Sequence, residues 1–429
     1  KALEINPDMP SIYSNIAFNA TYMPELSVSE VFEVHRAWSR RFEKAVAGKY
    51  AHDRPRADRR LRVGYVSGDF ALHPVGFLLR DVIREHDREA FEIHCFSMMR
   101  SEQDEITQAI KESAAAWHDV LLASDQEVAD LVHEKQIDIL VDLSGHTAYN
   151  RLPAFAMRPA PVQATWIGYF HSTGLEGIDY YITDPYTSPK GSGQLFSETP
   201  VWLPNTRFCF SPPAYAPAVA PAPAVTAGRV TFGCFNRVEK LVDPVIVAWD
   251  RIIRAVPDSR LLLKSGNLQN EAVREALMAR FARLGFDISR LELRGPSAHP
   301  EMLSEYAEVD IALDPFPFNG GMTTLEALWM GVPVVTLAGE GVVSRQTVSA
   351  LANIGLSALA FPEVEGYVTG AVALAGDVER LRALREGMRD RMQASPLCHP
   401  AQFARDLEAL YQRMWQAWLR GERLPSDIA

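Results

Sequence analysis

Cysteine is scarce: four in 429 residues (Cys95, Cys209, Cys234 and Cys398), with no C-x-x-C pair among them. That excludes a disulfide-stapled framework and a cysteine zinc site, and fits reduced thiols in a cytoplasmic protein. No apolar run approaches the length that crosses a bilayer, and no short apolar block follows a basic start, as a secretory leader requires. Positive charge is in deficit: 43 Lys+Arg against 54 Asp+Glu leave a formal net charge of −11. That is the wrong sign for neutralising a phosphate backbone, so nucleic acid is not an expected partner. Chemical signatures are missing as well. There is no Walker A sequence, no GxGxxG after a strand and no HExxH, which disfavours NTPase, dehydrogenase and zinc-protease readings. Nor is there an Asp-x-Asp pair, the simplest means of holding a divalent cation on a diphosphate. Neither a metal nor another cofactor is expected; a bound diphosphate would be neutralised by protein donors.

What is present is a folded protein, 47% hydrophobic and 23% charged, longer than one ordinary domain. Residues 1–50 read as helical. Lys1 to Asp8 (KALEINPD) resembles the close of a tetratricopeptide repeat, whose helix pairs need neighbours to bury their faces, so an upstream repeat array is expected. Ser27-x-x-Glu30 forms a capping box, and Val31, Val34 and Trp38 share one helical face. A basic stretch with a proline, Arg54 to Arg60, separates this piece from the next.

From Leu61 to about residue 210, short apolar runs alternate with amphipathic segments. Strands are predicted at 61–67, 91–97, 137–143, 162–168 and 180–183, and helices at 77–86, 102–116 and 126–135. Residues 211–228 (SPPAYAPAVAPAPAVTAG) hold five prolines, seven alanines and no charge, a composition that favours extended chain and reads as a linker. The alternation restarts over 229–395, and 396–429 carries a long helix, about Ala401 to Leu419. Such alternation implies parallel βαβ units, hence an α/β fold of two domains, with a ligand cleft expected between them.

The strongest local signal is DPFPFNGGMTTLEALWMGVP, beginning at Asp314. A strand ends near Asp314, and Asn319, Gly320 and Gly321 turn the chain into Thr323, Thr324 and a helix with Glu326 in its first turns. Glycines allow close backbone approach, and a helix start offers N–H groups and partial positive charge to an anion. Glu326 could accept hydrogen bonds from ribose hydroxyls. A tight turn into a capped helix would leave the same pattern. Lys240, in GCFNRVEKLVDP, lies on another strand-to-helix loop, where an ammonium could sit on a diphosphate leaving group or merely pair with Glu239 or Asp243. In the first domain His73 (SGDFALHP) and His146 (DLSGHT) follow two strands, each near a carboxylate; either could orient a hydroxyl or relay a proton.

These segments together resemble the catalytic region of the protein O-linked N-acetylglucosamine transferase and SPINDLY family, glycosyltransferase family 41. The resemblance runs from Leu61 to about Glu422. Its carriers are LRVGYVSGDFALHPVG (61–76), DILVDLSGHTAYNRL (138–152), RPAPVQATWIGY (158–169), GCFNRVEK (233–240), the block from Asp314 to Glu340, SR (344–345) and ASPLC (394–398). It implies a GT-B architecture of two Rossmann-like domains behind a tetratricopeptide-like segment. It also implies metal-independent, inverting transfer of N-acetylglucosamine from UDP-GlcNAc to Ser or Thr hydroxyls of acceptor proteins recognised with the repeat array. By position, Lys240 becomes the diphosphate lysine, Thr323 and the helix start hold phosphates, Glu326 takes the acidic ribose position, and His73 falls at the first-domain active-site histidine. Three departures bear on the donor. Gly321 and Met322 stand where animal members have a histidine before paired threonines. Met302 occupies a base-stacking position, with His299 as a substitute or with weaker stacking, and Arg237 replaces a Gln. The SGHTA segment (144–148) and the Gly-Gly turn lean toward SPINDLY, whose plant members use GDP-fucose. O-fucosylation, nucleotide-sugar isomerisation and a non-catalytic scaffold therefore stand as alternatives.

Overall fold

The computed structural model describes residues 6–44, 46, 48–52, 59–100 and 102–426. Residues 1–5 of the repeat-like opening and 54–58 of the basic stretch lie outside the described residues. The chain divides into two units. One comprises Lys1–Thr21, Glu25–Ser211 and His399–Ala429; the other comprises Tyr22–Pro24 and Pro212–Cys398.

The first unit is built on seven strands: β1 (Leu61–Ser67), β2 (Phe91–Ser97), β3 (Ala116–Asp119), β4 (Ile139–Asp142), β5 (Val162–Thr165), β6 (Tyr180–Thr183) and β7 (Thr199–Trp202). All pair in parallel, in the order β3-β2-β1-β4-β5-β6-β7. The central strands are near-continuous apolar runs because helices cover the sheet. Helices Pro74–Glu85, Glu105–Ser113 and Asp125–Glu134 make the first three crossovers. Strand order reverses between β1 and β4, and at such a switch point the loops leaving adjacent strands diverge and open a crevice. The loop after β1 carries His73 and the loop after β4 carries His146.

Helices Pro10–Ala20 and Val28–Phe42 precede this sheet, the second opened by the expected Ser27–Glu30 capping box. Val31 and Trp38 are buried as the periodicity predicts, and His35 is buried with them. The C-terminal helix, Pro400–Leu419, also packs into this unit. Glu408 Oε1 lies 3.0 Å from His86 Nδ1 and accepts from the Asp87 amide at 2.7 Å. Phe403 stacks on Trp166 with ring centroids 5.8 Å apart.

The second unit has six parallel strands: β8 (Thr231–Cys234), β9 (Arg260–Lys264), β10 (Leu291–Arg294), β11 (Ile311–Leu313), β12 (Val334–Leu337) and β13 (Ala360–Phe361). Their order is β10-β9-β8-β11-β12-β13, so this unit has its own reversal, between β8 and β11. Lys240 follows β8, and the Asp314–Gly321 turn follows β11.

Three strands escape the sequence pattern for physical reasons, and one of them, β13, is only two residues long. β3 is a short, partly exposed edge strand, and β7 contains Pro200, which only an edge strand accommodates readily. The stretch 211–228, which opens at the boundary between the two units, is not loose chain. It contains helix Pro223–Ala227 and is fastened to the second unit by buried charge. Asp310 accepts from the Ala224 amide at 2.9 Å and the Thr231 amide at 2.8 Å. Arg385 donates to the Ala220 carbonyl at 2.5 Å, and Arg389 to the Pro217 carbonyl at 2.8 Å. Side chains from elsewhere in the unit thus satisfy backbone groups that proline-rich chain cannot pair with itself. Replacing Asp310 with Ala strands two inward amides. Chemical denaturation should show a loss of roughly 2–4 kcal/mol from the second unit.

Candidate functional site

At the switch point of the second unit, the residues after β8 and β11 converge. Phe235 stacks on Tyr306 with centroids 4.3 Å apart, which anchors the start of the β8 loop. The loop then winds through a single 3₁₀ turn, Val238–Lys240, and aims the Lys240 side chain inward. Its ammonium donates to the Asn319 carbonyl at 2.6 Å and to Asn236 Oδ1 at 3.0 Å, and lies 4.3 Å from the centroid of the Phe318 ring. Only 8% of the residue is exposed. Burial pushes its pKa down to about 8, against the pull of the Asp314 carboxylate, which favours the charged form.

Asp314 folds the opposing loop. One carboxylate oxygen accepts the Gly320 amide at 2.6 Å and the other accepts the Thr336 hydroxyl at 2.7 Å. Burial pushes its pKa up, and these hydrogen bonds oppose that shift. The turn so made requires glycine: a Cβ on Gly320 would lie 2.4 Å from Thr324 Oγ1 and 3.0 Å from Thr323 Oγ1. Helix Met322–Trp329 starts immediately after, with Gly321 as its N-cap and no side chain capping it. Its first amides and the Lys240 ammonium together make an electropositive pocket suited to a phosphate or diphosphate. Thr323 links the two loops, its hydroxyl donating to Asn236 Oδ1 at 3.1 Å.

Glu326 sits one turn into the helix, 4% exposed, with its pKa raised by burial and lowered in part by His299. His299 Nε2 lies 2.8 Å from Glu326 Oε1, and His299 Nδ1 lies 2.7 Å from the Tyr215 hydroxyl. Met302 is half-buried on the same short helix as His299, and Arg237 is exposed on the β8 loop.

The structure thus gathers Lys240, Asn319, Gly320, Gly321, Thr323, Glu326 and His299 within one unit. Thr324 lies deeper than Thr323. Its side chain turns inward, with Oγ1 2.8 Å from Thr347 Oγ1, and the residue is 3% exposed, so in this structure it supports the turn. Asn236, Phe318 and Tyr215 carry no individual signal in the sequence, whereas Asp314 is marked there as the residue at which a strand ends and the glycine turn begins.

In the first unit His73 caps helix Pro74–Glu85. Its Nδ1 accepts from the Val75 amide at 3.3 Å and lies 3.8 Å from Asp69 Oδ2, while 45% of its side chain is exposed. His146 is a correction. It is 1% exposed, with Nδ1 3.0 Å from Ser14 Oγ and Nε2 2.7 Å from the Thr173 carbonyl. Both nitrogens are engaged inside the protein, which leaves no face for a substrate. His146 belongs instead to a buried cluster: its ring centroid is 5.2 Å from that of His35, which stacks on His171 at 4.2 Å.

Comparison with known proteins follows the same lines. The sequence profile of glycosyl transferase family 41 matches residues 42–211 and 224–407. The chain belongs to this family. A probable UDP-N-acetylglucosamine–peptide N-acetylglucosaminyltransferase SPINDLY of Oryza sativa subsp. japonica is 36% identical over 428 residues, 98% of this chain and 46% of that protein. The Arabidopsis thaliana relative named SEC, with the same activity in its name, is 30% identical over 375 residues, 85% of this chain and 38% of its own length. The chain therefore spans about half the length of the curated relatives it matches. Among solved structures, a mutant form of the Thermobaculum terrenum O-GlcNAc transferase superposes with a TM-score of 0.93 at 37% identity, over 98% of this chain and 80% of that one. A lipopolysaccharide outer core galactosyltransferase (TM-score 0.53, 14% identity, 82% of this chain and 100% of that one) shares the fold alone. The family 41 chain has the GT-B glycosyltransferase fold. No helix among its described residues is long and apolar enough to cross a membrane, and these residues hold no group of three or more His, Cys, Asp or Glu arranged for a metal ion.

The histidine cluster gives this family 41 member a pH signature. Burial pushes His146 and His171 down to about 4 and His35 well below its ordinary value. The unfolded chain protonates these rings near pH 6.5, so their contribution to stability is whole above that pH and is lost as pH falls toward 4. The thermal midpoint of the first unit should drop through this window, and His171→Phe, which removes one of the protons, should make the drop shallower.

Proposed function

We propose that this chain is the catalytic part of a protein O-glycosyltransferase that transfers N-acetylglucosamine from UDP-GlcNAc to Ser or Thr hydroxyls with inversion. The observation that carries the reading is the buried Lys240 ammonium, set beside an uncapped helix start at the carboxyl ends of β8 and β11. The names of the SPINDLY and Thermobaculum relatives support the sugar and the acceptor class. The acceptor oxygen attacks the anomeric carbon as the bond from that carbon to the diphosphate oxygen breaks, and the hydroxyl proton leaves to a base or to water. Negative charge grows on the departing diphosphate. Lys240 and the amides of Gly321, Met322 and Thr323 receive it in a site already organised, so their effect falls on the transition state. Gly320 and Asn319 shape that receiving turn. Glu326 would accept from the ribose, with His299, Met302 and Arg237 around the base, and His73 would orient the acceptor hydroxyl. Charge compensation by protein donors leaves no step that needs a metal. Protein acceptors, an upstream repeat array that recognises them, and a cytoplasmic setting complete the proposal. The four cysteines, three of them buried and none in a disulfide, support that setting.

Lys240→Ala should lower kcat by roughly a hundredfold or more with saturating donor, while calorimetry shows donor binding weakened far less. Radiolabelled UDP-GlcNAc and GDP-fucose, assayed side by side on an acceptor protein, test the donor in the same preparation. The pH profile offers a second check. Lys240 in the free protein loses its charge as pH rises through about 8, so kcat/KM should fall above that pH. A bound diphosphate stabilises the ammonium, so kcat should hold to higher pH than kcat/KM does.

A further inference from the structure

Tyr215 lies in the proline- and alanine-rich stretch before β8, where composition alone predicts no chemistry. Its hydroxyl is 2.7 Å from His299 Nδ1, and its ring meets the imidazole edge-on, 5.7 Å between centroids at 89°. His299 Nε2 in turn lies 2.8 Å from Glu326 Oε1. An ionised carboxylate only accepts, so the proton of a neutral ring resides on Nε2. Nδ1 is then the acceptor, and the Tyr215 hydroxyl donates to it.

We infer that Tyr215 is a positioning residue for the ribose of the nucleotide donor: through His299 it fixes the orientation in which the buried Glu326 carboxylate meets the ribose hydroxyls. The inference rests on the proposed donor site. One carboxylate oxygen is held by Nε2–H, which leaves the other to accept from the sugar. The tyrosine hydroxyl favours the tautomer whose Nε2–H donates to Glu326, and losing it weakens that preference. The carbonyls of Pro217 and Ala220, held by Arg389 and Arg385, keep this stretch of chain against the unit that carries His299.

The test is calorimetric binding of UDP, 2′-deoxy-UDP, GDP and 2′-deoxy-GDP to the full chain. Variants are Tyr215→Phe, which removes only the hydroxyl, His299→Gln, whose amide can still donate to Glu326, and the double variant. Wild-type protein should prefer the ribonucleotide of the base it binds by roughly tenfold or more, and Tyr215→Phe should narrow that preference to about threefold or less. In turnover, the donor KM of Tyr215→Phe should rise by a larger factor than kcat falls. In the His299→Gln background the same change should have no further effect on the preference. A Tyr215→Phe protein that keeps the wild-type preference overturns the inference and leaves the donor site standing, as does an undiminished effect in the His299→Gln background. Wild-type protein that binds neither ribonucleotide, or shows no ribose preference, overturns the donor-site reading itself. Binding of the guanosine pair alone replaces the donor base, and Tyr215 is then judged on that pair.

Discussion

A cation buried against a carbonyl is the constraint on which this site turns. Desolvating an ammonium is expensive, and Lys240 tolerates it because two oxygens and an aromatic face meet it at fixed positions. Those positions exist only if the Asp314 loop is folded. Asp314 clamps the Gly320 amide, and the lack of a side chain at Gly320 lets the turn close against both threonines. The Asn319 carbonyl is thereby delivered to Lys240. Buried positive charge of this kind is poised: burial has weakened its hold on the proton, and an arriving dianion would restore it.

The sheet topology explains why these loops meet at all. In each unit the strand order reverses once, between β1 and β4 and between β8 and β11. At a reversal, successive crossovers run to opposite sides, and the loops between them are not covered by a helix. His73, Lys240 and the Asp314 turn all sit on such loops. His146 does too, yet the two preceding helices pack over it and turn a candidate for chemistry into part of a buried imidazole cluster. Position after a strand is thus necessary for a role at the site and is not sufficient.

Family membership and geometry bear on different questions. The relatives supply a named activity, and the geometry shows how a diphosphate could be received by protein groups. Gly321 and Met322, which depart from the animal pattern, stand at the helix start itself. A Cβ on Gly321 would lie 3.1 Å from Gln346 Oε1. In this chain a glutamine therefore stands beside that position.

What the linear order determined is everything governed by local period and local chemistry. The apolar runs of β1, β2 and β6 are read to the residue, because each is buried in a parallel sheet and bounded by turns. The Ser27–Glu30 cap and the glycine turn before Met322 are equally local. The tertiary structure decided whatever depends on partners far along the chain. It fastened residues 211–228 through Asp310, Arg385 and Arg389, turned Thr324 onto Thr347, enclosed His146, and joined Tyr215 to Glu326 through His299. Each of those outcomes rests on a hydrogen bond spanning many residues, and no periodicity records which distant group will satisfy a buried polar atom.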